Sequence, residues 1–208
     1  MPTRFGEFQA QVYAEAENDV QHMAIFMGNL TNGQPVLTRI HSECLTGDVF
    51  GSLRCDCGPQ LDRALELIAD AGQGVVLYLR QEGRGIGLYN KLRAYSLQER
   101  GYDTVQANEE LGFPPDLRDY GIARAMLDHL GVRRVHLLTN NPRKVAELEA
   151  GGFEVLERRA LEISSNAVNH HYLRTKREKM GHLLRELEAP PEPSQEERTE
   201  EPAVATKS

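Results

Sequence analysis

Between residues 6 and 50 apolar and polar side chains alternate, in FQAQVYAEA, HMAIFMGNL and PVLTRIHS, and a period of two marks a strand with one buried face. Asn18-Asp19 and Asn32-Gly33 interrupt that alternation with residues that tolerate tight turns. A small antiparallel sheet is therefore predicted for the N-terminal part. After CDCGPQ the period changes: LDRALELIADAG places Leu61, Ala64, Leu65 and Ile68 on one face of a helix that ends at Gly72. GVVLYLR then reads as a buried strand, QEGRGIG as a loop and LYNKLRAYSLQERG as a helix, and RRVHLLT, NNPRK and VAELEAGG repeat that succession. DYGIARAMLDHLG predicts an amphipathic helix ending at Gly131, and YDTVQANEELGFPPDL an extended stretch. NHHYLRTKREKMGHLLREL carries Leu173, Met180, Leu183 and Leu184 at helical spacing. The pattern is α/β (α+β): an N-terminal antiparallel β-sheet region packed with a mixed-sheet α/β body, in a single compact domain over residues 1–188.

Composition narrows the setting. A chain of 208 residues with 40% apolar and 26% charged positions can bury one substantial core without staples. MPTRFGEFQAQVYAEAEN lacks the basic start and apolar run of a signal peptide, and no later run reaches the roughly 20 apolar residues of a membrane span. The expectation is a cytoplasmic protein without membrane contact. Of the formal net charge of -7, the stretch from Glu186 to Ser208 supplies -5, with seven acids against Arg198 and Lys207, and about -2 remains for the rest. A nearly neutral body will not draw in a nucleic acid polymer, so an anion must be held by local arginines and backbone amides. Residues 189–208 are acidic and rich in proline, and too poor in apolar residues to offset the entropy of ordering, so a disordered tail is expected there.

The candidate chemistry centres on RIHSECLTGDVFGSLRCDCGPQL, which holds all three cysteines, Cys44, Cys55 and Cys57. Three thiols cannot all pair as disulfides, and a Cys-x-Cys beyond a lone cysteine points to a soft metal, with zinc the first candidate. A catalytic zinc keeps one position for water and needs three protein ligands; His41 could instead close a structural site, and three buried free cysteines are the plain alternative. In QEGRGIG the glycines Gly83, Gly85 and Gly87 follow a strand and precede a helix, so backbone amides could approach a phosphate. Leu88 stands where GxGxxG needs glycine, and GxxxxGK is absent, so neither common nucleotide motif is met. Glu82 and Arg84 add a selectivity that a plain turn does not need. Asn141 before Pro142 marks a helix start whose free amides lie beside Thr139 and Lys144, in the manner of a phosphate corner or a capped helix. FPPDLRDYG presents Asp116, Arg118 and Asp119 on a stiffened segment, which alone would be a surface turn, and RTKREK reads as a solvated helix face.

Taken in order, RIHSEC, LRCDCG, QEGRGIG, AYSLQERGYDT, DLRDYG and LLTNNPRK resemble the motif series of GTP cyclohydrolase II, through most of residues 35 to 183. The resemblance implies opening of the imidazole ring of GTP with release of formate and pyrophosphate, leaving 2,5-diamino-6-(5-phospho-ribosylamino)pyrimidin-4(3H)-one, the first step of riboflavin biosynthesis. It implies one Zn2+ per chain on Cys44, Cys55 and Cys57, with Arg39, Ile40, His41, Ser42, Glu43 and Gln60 lining the nucleotide pocket. Glu82, Gly83, Arg84 and Thr104 would touch the substrate, and Thr139 and Lys144 would hold it from the second loop. Tyr95 would orient or protonate the opening ring, Asp116 would accept a proton, and Arg118 would act as nucleophile on the α-phosphate. A protonated guanidinium has no lone pair to offer, so the plainer role for Arg118 is a charge clamp. Mg2+ on the triphosphate and a homodimer are implied by the same resemblance.

Two other readings use the same residues. In one, His41 closes the metal site of a zinc-stapled guanine-nucleotide-binding regulatory module without turnover. In the other, a zinc deaminase, His41-Ser42-Glu43 supplies HxE, but Cys55-Asp56-Cys57 departs from the PCxxC that such enzymes carry.

Overall fold

Apolar runs that lack alternation belong in the middle of a sheet covered on both faces, and GVVLYL, Gly74–Leu79, lies in the interior of this one. The structure, a computed structural model, describes residues 1–185 and Leu187; the tail expected to be disordered, 189–208, lies outside the described residues. Strands β1 (Pro2–Thr3) and β2 (Gly6–Glu7) form a two-stranded antiparallel sheet of their own. The main sheet comprises β3 (Gln9–Ala14), β4 (Gln21–Met27), β5 (Val36–Ser42), β6 (Gly74–Leu79), β7 (Arg134–Leu138) and β8 (Glu154–Arg159), in the order β3-β4-β6-β5-β7-β8. The β3-β4 and β4-β6 pairings are antiparallel, and β6-β5, β5-β7 and β7-β8 are parallel. This is the mixed-sheet α/β arrangement expected, with one difference. Val36–Ser42 alternates like the hairpin strands, yet it runs parallel to both neighbours in the centre of the sheet. A period of two reports faces and leaves strand direction open.

The helices are α1 (Leu45–Asp48), α2 (Cys57–Ala71), α3 (Gly87–Gln98), α4 (Thr104–Glu110), α5 (Gly121–His129), α6 (Pro142–Ala150) and α7 (His170–Met180), with a 3-10 turn at Glu82–Gly85. One face of the sheet packs Ile40, Leu77, Leu79, Val135 and Leu137 against Ala123, Met126 and Leu127 of α5 and Leu148 of α6. The other packs Leu37, Val76 and Leu138 against Ala64, Leu65 and Ile68 of α2. Each Val, Leu, Ile and Met among these contributes about 1.5–3 kcal/mol by leaving water. Among the described residues no helix is long and apolar enough to cross a membrane.

The stretch Tyr102 to Leu117, expected to be extended, contains α4. Asp103 caps it: its side chain accepts from Val105 N and Gln106 N while Gln106 reaches back to Asp103 N, a capping box in a segment too polar to show helical periodicity. The last helix ends at Met180, with Gly181 left-handed after it, so Leu183 and Leu184 lie beyond the helix whose spacing they extend.

The order of the sheet locates the site. The chain runs from β5 through α2 to β6 on one side, then returns past β5 to place β7 on the other. Loops from adjacent strands diverge at such a reversal and leave a crevice outside the carboxyl ends of the strands. The loops after Ser42, Leu79 and Leu138 all open there.

Candidate metal centre and anion cleft

A cleft lies at that crevice, and Cys44, Cys55, Cys57, Glu82, Arg84, Tyr95, Arg118, Lys144, Lys176 and His182 are among its lining residues. It brings together two chemically different groups of side chains.

In the first group the three sulfurs gather. Cys44 follows β5, Cys55 lies in the loop beyond α1, and Cys57 opens α2. Their sulfurs all lie within 4.8 Å of one another, with Cys44 and Cys55 3.6 Å apart. Thiolates about 2.3 Å from a tetrahedral zinc stand roughly 3.8 Å from each other, so the spacing fits one shared ion. Room for the cluster depends on Gly47, where a Cβ would fall 2.8 Å from Cys55 Sγ and 3.2 Å from Cys44 Sγ. Hydrogen bonding within the trio pushes the Cys44 thiol down, mainly through Cys55, and pushes Cys55 up to about 11, mainly through Cys44. The negative charge thus collects on one sulfur, which a soft cation would relieve. His41 is not in the group: its Nε2 stands 3.1 Å from both carboxylate oxygens of Asp48. Asp48 is buried and also accepts from Tyr78 Oη at 2.8 Å and Cys44 N at 2.9 Å, which fixes the backbone of the first cysteine.

In the second group cations predominate. Arg39 donates to the Leu138 carbonyl at 3.0 Å and to Gln60 Oε1 at 2.6 Å. Lys144, on α6, donates to the Ile40 carbonyl at 2.6 Å, and burial, with Arg39 and Arg118 nearby, pushes its amine well below the ordinary value. His182 is pushed down to about 2, by burial first and then by Lys176, Arg118 and Lys144. The Arg84 guanidinium is buried, with Nη1 and Nη2 unpartnered among the described residues. Gly83 and Arg84 both adopt left-handed φ values, 63° and 62°, which glycine tolerates and arginine rarely does. Cations that depress one another and guanidinium donors left without acceptors describe a cavity shaped for an anion.

Asp116 and Arg118 form a two-pronged pair beside it, Nε to Oδ1 at 2.8 Å and Nη2 to Oδ2 at 2.7 Å. Burial alone would raise Asp116 and lower Arg118; the pairing overrides both, leaving the carboxyl below its usual range and the guanidinium held more firmly protonated. Arg118 Nη1 also reaches Ser42 Oγ at 3.5 Å.

Most of the residues singled out from the sequence meet here. Arg39, His41, Ser42, Glu43, Gln60, Glu82, Gly83, Arg84, Tyr95, Thr104, Arg118, Thr139 and Lys144 line the cleft with the cysteines. Ile40 and Asp116 do not: the Ile40 side chain is fully buried in the core, where its carbonyl serves Lys144, and Asp116 stands behind Arg118. Sequence reasoning missed Asp48, Lys91, Asp56, Tyr172, Lys176 and His182. Lys176 corrects the expectation of a solvated RTKREK face, since its side chain is only 12% exposed and donates to buried Asp56 at 2.8 Å. Lys91 had a signal available, because it stands four residues before Tyr95 on one helix face.

A thiol cluster able to hold a metal, facing a cationic cavity at the carboxyl ends of parallel strands, defines an α/β protein suited to bringing a metal ion and an anionic ligand together. The family model of GTP cyclohydrolase II matches residues 1–160, and the chain belongs to that family. It is 58% identical to a riboflavin biosynthesis protein RibBA of Bacillus cereus (strain ATCC 10987 / NRS 248) over 184 residues, 88% of this chain and 46% of that protein. It is 57% identical to the RibBA of Chlorobium phaeovibrioides, over 88% of this chain and 45% of that protein. The chain spans about half the length of the curated relatives it matches. Among solved structures, RibBX of A. baumannii, a two-domain 3,4-dihydroxy-2-butanone 4-phosphate synthase, matches with a TM-score of 0.43 and 19% identity, over 78% of this chain and 38% of that one. A likeness that weak carries no argument.

Proposed function

We propose that this chain is a zinc-dependent GTP cyclohydrolase II, which opens the imidazole ring of GTP and releases formate and pyrophosphate. The product on this reading is 2,5-diamino-6-(5-phospho-ribosylamino)pyrimidin-4(3H)-one, which enters riboflavin biosynthesis. The observation that carries the proposal is one cleft lined both by three convergent sulfurs and by a surplus of basic side chains. Zinc held by Cys44, Cys55 and Cys57 would supply Lewis acidity and a water acidic enough to add to a purine carbon near neutral pH. Against a structural site closed by His41 stands the engagement of that ring with Asp48.

The remaining roles fall to the protein's own groups. Tyr95, its hydroxyl 3.4 Å from Thr46 Oγ1 and its ionisation opposed by burial, stays protonated and can donate to the opening ring. Arg84, Lys144 and Arg118 neutralise the triphosphate, together with Mg2+, since four negative charges exceed what a nearly neutral chain supplies. Gln60, Thr104 and Thr139 orient the nucleotide. A guanidinium held protonated by Asp116 supports the clamp role for Arg118 over the nucleophile role, because its lone pair is unavailable. A homodimer and a cytoplasmic setting belong to the same reading. The test is zinc-loaded protein incubated with GTP in magnesium buffer: formate and pyrophosphate are expected, and untouched GTP defeats the proposal.

A further inference from the structure

The cysteine cluster has an outer partner that no motif announces. Lys91 on α3 is 9% exposed, and its ammonium donates to Cys44 Sγ at 3.1 Å, Thr46 Oγ1 at 3.0 Å and Glu82 Oε1 at 2.8 Å. All three of its N–H bonds are therefore used. Its anionic acceptor is itself fixed: Glu82 takes Leu45 N on Oε2 at 2.7 Å and Gly83 N on Oε1 at 2.8 Å. The cation is thus held in place from two sides. Among the described residues, Cys44 is the one cysteine of the three whose sulfur accepts a hydrogen bond from a charged side chain.

Three thiolates around a divalent ion leave one net negative charge, and each pushes electron density onto the ion. A positive N–H donor on one sulfur offsets the charge and draws density back, which favours the loaded state and keeps the ion electrophilic. We propose that Lys91 is a positioning residue of the metal centre, neutralising the excess thiolate charge through Cys44. This rests on the zinc reading above and adds a residue that acts on the metal through its ligand. It also gives Glu82 a second task, as the anchor that ties the glycine loop to the metal-bearing loop through one shared ammonium.

The test compares the parent with Lys91→Gln and Lys91→Arg. Zinc affinity is measured by chelator competition at fixed pH and salt, and the sulfur-to-cobalt absorption band is recorded in cobalt-loaded protein. Lys91→Gln should bind zinc about tenfold more weakly, and its band should move to lower energy because the sulfur has become a better donor; Lys91→Arg should stay within about threefold of the parent. A folded Lys91→Gln protein with parental zinc affinity, or with an unmoved band, overturns the assignment. The parent supplies a readout that does not depend on any variant folding. Loaded with 113Cd and labelled with 15N-lysine, it should show one slowly exchanging ammonium coupled to cadmium through sulfur; cadmium bound without that coupling overturns the assignment. A parent that binds neither zinc nor cobalt defeats the zinc reading itself, whereas a zinc-binding parent matched by Lys91→Gln defeats Lys91 alone.

Discussion

The two groups of side chains in the cleft are stabilised in opposite ways. Around the cysteines most of the buried polar groups are paired: Asp48 gathers His41, Tyr78 and the Cys44 amide, and Lys91 is saturated by Cys44, Thr46 and Glu82, with His41 Nδ1 left unpartnered among the described residues. Around Arg84, Lys144 and His182 basic side chains crowd together: Arg84 Nη1 and Nη2 have no acceptor among the described residues, and burial with neighbouring cations works against protonation of Lys144 and His182. The first group is largely paired within itself, and the second carries a surplus of positive charge that an anion would offset. The lesson is that preorganisation for a small cation and for a large anion leaves different marks. The first leaves a largely paired hydrogen-bond network, the second an unbalanced one.

The strongest way to break the contrast is to remove a sulfur. Cys55→Ser should lose stoichiometric zinc and on the order of a thousandfold in formate release, equivalent to several kcal/mol of transition-state stabilisation. Some pyrophosphate release should remain, because the cationic group is untouched. Formate and pyrophosphate followed together check this, and parallel loss of both would merge the two groups into one unit. Next, Arg118→Ala should reduce both products by about a hundredfold with zinc content unchanged. Near-parental turnover would remove Arg118 from the chemistry. Smaller still, Gly47→Ala should lower zinc affinity by about tenfold, since its Cβ would press on the Cys55 and Cys44 sulfurs. Competition with a chelator reads that directly, and the metal-free protein should melt somewhat lower too, because the same Cβ presses on the cluster with or without an ion.

The smallest effect is a pH dependence of stability. Burial, then the nearby Lys176, Arg118 and Lys144, push His182 from its ordinary 6.5 down to about 2 in the fold. Below about pH 6.5 the unfolded chain takes up a proton that the folded chain refuses, so stability falls as pH drops from there towards 2. After allowance for partial exposure the loss at about pH 5 is roughly 1 kcal/mol. Denaturant midpoints at about pH 7 and 5 should therefore differ less in His182→Gln than in the parent. Bound triphosphate should shrink the parental difference as well, because its charge lets His182 keep the proton.

The same contrast governs what could be read from the sequence. The cysteine group was legible because its parts are local: Cys44, Cys55 and Cys57 share one segment, and thiols at that spacing have few other uses. The cationic group was legible where a loop motif announced it, at Arg84, Arg118, Thr139 and Lys144. Lys176 was not, since a basic residue on a polar helix looks solvated until a partner such as Asp56 is found far along the chain, and His182, just past that helix, belongs to no motif. The helices of the body were readable from apolar faces at Leu61, Ala64, Leu65 and Ile68. The polar α4 had no such face, and its capping box carried the signal instead. Strand β5 was recognisable as a strand and its direction was not, because parallel and antiparallel strands share a period.

The bond between Asp56 and Lys176 joins residues 120 positions apart in the chain. During synthesis from the N-terminus, the segment bearing Cys44, Cys55 and Cys57 leaves the ribosome well before α7 exists to dock beside it. On the zinc reading proposed above, an ion could therefore reach the sulfurs from that side before α7 adds its wall.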